Sequence, residues 1–111
     1  HSRNVADAIL FILKNVSPIL HQLGEVDLPV RLNVCGEKRI SNKELVEIIA
    51  DLMGKEAKIQ LLSFHASNPG HDLHYGLDGA KLAELGWKAP LPFEESMKNT
   101  IEWQMSHPDW I

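Results

Sequence analysis

Four residues in one short stretch could hold a metal ion: His65, His71, Asp72 and His74 offer imidazole and carboxylate donors close together in the chain. Catalytic zinc sites use three such ligands and keep a fourth position open. The spacing here is not that of a helix-borne His-Glu-x-x-His pair, and no cysteine joins the cluster. Nucleophilic chemistry has less to work with. Cys35 closes an apolar stretch with no base beside it, which is the setting of a small buried hydrophobe. Ser63 lacks a Gly-x-Ser-x-Gly frame that would pair it with His65 or His71. Neither Gly-x-Gly-x-x-Gly nor Gly-x-x-x-x-Gly-Lys-Ser/Thr occurs, so any phosphate must be met by other donors. Asn33, Asn68 and the backbone around Gly70 could supply them, with His71 adding charge when protonated. Asn68-Pro69-Gly70 is also favourable turn chemistry whether or not it binds anything.

Helices and strands must position these residues. In "NVADAILFILKNV", Val5, Ile9, Ile12, Leu13 and Val16 recur near helical spacing, and Asn4 is placed to cap the first turn. Residues 17–30 carry Pro18, Gly24 and Pro29 and read as a loop with at most a helical turn near His21. "VRLNVCG" predicts a strand with Val30, Leu32 and Val34 on one face. Ser41 and Glu44 have capping-box spacing ahead of Leu45, Ile48, Ile49 and Leu52, and Gly54 stands where a left-handed cap is wanted. "AKIQLLSF" predicts a second strand, with Ile59 and Leu61 opposite Leu62 and Phe64. Asp78 then caps a short helix, "GAKLAEL", closed by Gly86. Pro90 and Pro92 precede a last helix whose inward side is Phe93, Met97, Ile101 and either Trp103 or Met105.

The expected order is helix, strand, helix, strand, helix, helix. This is an α/β, helix-rich small domain of about four helices with a sheet of two or three strands, spanning residues 1–111 as one domain. With 11 Lys and Arg against 15 Asp and Glu, the net charge is −4 and the signs are interspersed, so nucleic acid is not an expected partner. The longest apolar run, "VADAILFIL", is too short for a membrane span. A single cysteine rules out an intrachain disulfide and fits a cytoplasmic setting. The opening His1-Ser2, without Met, reads as a cloning remnant or as a piece of a longer protein.

"NPGHDLHYGLDGAKLAELGWKAPLPFEESMKNTIEW" resembles the C-terminal region of the NAD-dependent nucleotide-sugar epimerases and dehydratases, the extended short-chain dehydrogenases. It is most similar to the dTDP-glucose 4,6-dehydratase group. There the segment reads approximately Arg-Pro-Gly-His-Asp-Arg-Arg-Tyr-Ala-Ile-Asp, followed by Leu-Gly-Trp, a Phe and Thr-Val-Glu-Trp. "HSRNVADAILFIL" resembles the family's His-Val-Asp-Asp-Val-Ala-Asp-Ala-Leu helix, and "RLNVCGEKRISNKELVEIIADLMGK" its Tyr-Asn-Ile-Gly-Gly strand with the capped helix after it. "HPDWI" resembles the tail that follows the last helix, and the likeness runs in unbroken order through nearly the whole chain.

The resemblance implies a substrate-side region, the part of an extended Rossmann-type enzyme that closes over a nucleoside-diphosphate sugar. It implies substrate contacts from Asn33, Asn68, Gly70, His71 and Asp72. NAD is expected in full-length members through a Gly-rich loop and a Tyr-x-x-x-Lys pair, neither of which is in this chain. Tyr75 and Lys81 are too far apart to form the pair. Asn68 stands where the family carries a phosphate-binding Arg, Leu73 and His74 replace two basic residues, and Asn4 replaces an acidic one. A neutral amide does not fork onto a phosphate as a guanidinium does, so weaker diphosphate binding or another donor is expected. A Rossmann partner domain or chain is expected to complete the cleft. Strands without their usual neighbours would also favour a homo-oligomer, and a non-catalytic binding or assembly module is the alternative function.

Overall fold

In a computed structural model of the chain, residues 1–24, 30–63, 69–70 and 72–110 are described. Among them are α1 (Ser2–Lys14), α2 (Val16–Leu23), α3 (Asn42–Leu52), α4 (Ala80–Glu84), α5 (Phe93–Ser106) and a 3₁₀ turn at Pro108–Trp110. They fall into two compact units, His1–Glu37 with Leu77–Met97, and Lys38–Gly76 with Lys98–Ile111.

The first unit is built around Ala8, Leu82 and Trp87, with Phe11, Ile12, Leu32, Val34 and Ala89 packed against them. Ala8 is wholly buried, and its small side chain lets Leu82 and Trp87 come close to the α1 backbone. The side of α1 that faces this core is Asn4, Asp7, Ala8, Phe11 and Ile12. Of Val5, Ile9, Ile12, Leu13 and Val16, which recur near helical spacing, only Ile12 packs on the core, while the other four are about half or more exposed. Apolar residues nearly encircle α1, so spacing alone could not choose a side. Polar pairing did. Asn4 is inside the helix rather than capping it. Its amide donates to the Leu91 carbonyl at 2.8 Å, and its oxygen accepts from the Leu91 N–H at 3.0 Å, across 87 residues of chain. Asp7 accepts from the Trp87 indole N–H at 2.8 Å. The cap itself is His1, whose Nδ1 accepts from the Arg3 N–H.

The loop expected over 17–30 is instead α2 as far as Leu23. Pro18 falls in its first turn, where an N–H has no carbonyl within the helix to meet and its loss costs little. Pro29 and the rest of 25–29 lie outside the described residues.

No strand is present among the described residues, so the small sheet expected from "VRLNVCG" and "AKIQLLSF" is not found. A strand is defined by its ladder, and neither segment has one. Residues 30–35 are nevertheless extended in effect, with Leu32 and Val34 on the core and the residues between them turned away. Ile59, Leu61 and Leu62 are all exposed, and Phe64 lies outside the described residues.

Helix α3, in the second unit, forms as expected. Ser41 Oγ accepts from the Glu44 N–H, and Glu44 Oε2 accepts from the Ser41 N–H at 2.7 Å. At its other end Gly54, with φ 63°, allows the Lys55 N–H to reach the Ala50 carbonyl and the Gly54 N–H the Asp51 carbonyl. Helix α4 stops the same way. Gly86 takes φ 96°, the Trp87 N–H returns to the Leu82 carbonyl, and the turn delivers Trp87 to the core.

Phe93, Met97 and Ile101 of α5 are partly buried, as expected. Trp103 and Met105 are not. Both are about half exposed, and Trp103 stacks on His107 at 4.4 Å with Trp110 edge-on at 6.1 Å.

Candidate functional site

An open cleft of about 360 Å³ lies in the first unit. Asn33, Cys35 and Glu37 line it from the extended segment, and Gly79, Trp87 and Lys88 from around α4. The alternation that sends Leu32 and Val34 inward turns Asn33 and Cys35 toward the cleft. Gly79 permits the close approach of the two sides, since a Cβ there would stand 3.1 Å from the Cys35 Cβ and Sγ. Cys35 is half-buried with a free thiol.

Asn33 Nδ2 donates to the Asp78 carbonyl at 2.9 Å, across 45 residues. Asp78 Oδ1 accepts from the Ala80 N–H at 2.9 Å, so the pair ties the extended segment to the start of α4. One amide hydrogen of Asn33 is used in this way, and the residue also lines the cleft. Glu37 Oε2 accepts from the Phe93 N–H at 2.7 Å, which satisfies the first turn of α5 with a carboxylate. Lys88 brings the cleft an ammonium group. The wall thus carries one side-chain amide, one ammonium and one carboxylate, the last engaged with the Phe93 N–H.

The other sequence-derived candidates belong to the second unit or lie outside the described residues. Asn68 and His71 are outside them. Gly70 has φ 82°, a left-handed conformation that a turn after Pro69 requires and that side chains disfavour. Asp72, like Pro69 and Gly70, is exposed. The metal reading cannot be assembled from what is described, because His65 and His71 are both outside. Among the described residues no three His, Cys, Asp or Glu come together. Sequence reasoning missed Glu37 and Lys88. The Glu37 contact spans 56 residues and left no local pattern, whereas Lys88, next to the Leu-Gly-Trp run, could have been noticed.

A dinucleotide would need free N–H groups at a helix start. The Glu44 carboxylate already holds that position on α3, and Glu37 does so on α5, with Glu94 and Glu95 adding negative charge. These helix starts do not fit a pyrophosphate, and the chain has no Gly-rich loop to replace them.

Over most of its length the chain is similar to part of the nucleotide-sugar epimerase and dehydratase class, as its motifs suggested. A dTDP-glucose 4,6-dehydratase of Escherichia coli is 31% identical over 85 residues, covering 71% of this chain and 24% of the relative. A second dTDP-glucose 4,6-dehydratase, from Xanthomonas campestris, is 29% identical over 111 residues, or 92% of this chain and 31% of the relative. A probable GDP-L-fucose synthase of Oryza sativa is 26% identical over 107 residues, covering 96% and 29%. The chain therefore spans about a quarter to a third of these relatives' length. No family model matches it, and no solved structure does. No helix among the described residues is long and apolar enough to cross a membrane.

Proposed function

We propose that the chain is the C-terminal, substrate-binding part of an NAD-dependent nucleotide-sugar 4,6-dehydratase or epimerase, and that it positions a nucleoside-diphosphate sugar for chemistry done elsewhere. The observation that carries this is the similarity to dTDP-glucose 4,6-dehydratases across most of this chain and only a fraction of theirs. In the first unit, Asn33 and Lys88 would be the groups to meet a diphosphate, with the Glu37 carboxylate held by the Phe93 N–H. The family resemblance also assigns substrate contacts to Gly70 and Asp72, with Asn68 and His71 beside them in sequence. The contribution is proximity: holding the sugar at a fixed place lowers the entropic part of the barrier. Hydride chemistry would belong to NAD on a Rossmann partner carrying the Gly-rich loop, and a cytoplasmic setting accords with the lone cysteine of this chain.

Saturation-transfer NMR with dTDP-glucose tests the reading. Signal transfer to the nucleotide and sugar protons is expected, without turnover of NAD. Absence of transfer overturns binding, and NAD-linked conversion of dTDP-glucose by the chain alone overturns the division of labour.

A second reading, a non-catalytic assembly module, is favoured by one feature. Val5, Ile9, Leu13, Val16 and Leu20 form an exposed apolar row along α1 and α2. It calls for self-association, which sedimentation or light scattering measures.

A further inference from the structure

We draw no further inference here: the strongest candidate, the exposed apolar row of Val5, Ile9, Leu13, Val16 and Leu20 along α1 and α2, already carries the assembly reading above, and nothing in the structure shows what covers it.

Discussion

Asn4 joins α1 to the stretch before α5 with two hydrogen bonds to one residue, Leu91, and Leu91 is itself buried. Replacing it with Ala would leave the Leu91 N–H and carbonyl to find other partners in a partly buried place. Asn4→Ala is expected to lower stability by roughly 2 kcal/mol, measurable by urea denaturation. A loss under a few tenths would mean that water restores both bonds. The position shows what a sequence does and does not disclose. That Asn4 was a polar residue with a local hydrogen-bonding task was legible, and capping was the task its neighbours suggested. A partner 87 residues away leaves no spacing to read, and so the longer bond went unseen. The same holds for Asp7 with Trp87 and Glu37 with Phe93.

Elements whose instructions are local came through the sequence well. Helix α3 carries its start and stop within one stretch, and both are found where expected, while its apolar stripe is only partly covered, with Leu45, Ile48 and Ile49 half-buried and Leu52 exposed. Its capping box also makes it sensitive to acid. The Ser41 N–H and hydroxyl hold the Glu44 carboxyl below its ordinary 4.5. A carboxyl depressed in the folded state adds stability above its unfolded pKa, and that stability is lost as pH falls through the lower folded value. Helix α3 is therefore expected to loosen as the solution is taken below about pH 4.5, followed by amide exchange of residues 42–46. Glu44→Gln is expected to show a flatter profile over that window. Strands were the opposite case. Alternation in "VRLNVCG" sent Leu32 and Val34 to the core as read, but pairing depends on a neighbour that no single segment encodes. Pro18 misled for a related reason, since its effect depends on whether it falls in the first turn of a helix or later.

At the scale of the molecule, the apolar row Val5, Ile9, Leu13, Val16 and Leu20 is the feature most at odds with an isolated chain. Placing charge there, as in Ile9→Glu with Leu13→Glu, is expected to shift sedimentation toward monomer without unfolding the first unit, whose core uses the other side of α1. Unchanged sedimentation would mean that the row does not drive association. Of the proposed binding residues, Asn33 proved to border a cleft, a fact that its alternation with Leu32 and Val34 foreshadowed. Lys88 was placed on that cleft by the fold, although its position beside the Leu-Gly-Trp run was open to view in the sequence. The first unit is also assembled from two stretches that Lys38–Gly76 separates. On the ribosome, Ala8 thus leaves the exit tunnel seconds before Leu82 and Trp87 are synthesised, and α1 must wait with its core side uncovered. Chaperone capture of the nascent chain should concentrate in that interval and end once residue 91 has emerged to receive Asn4.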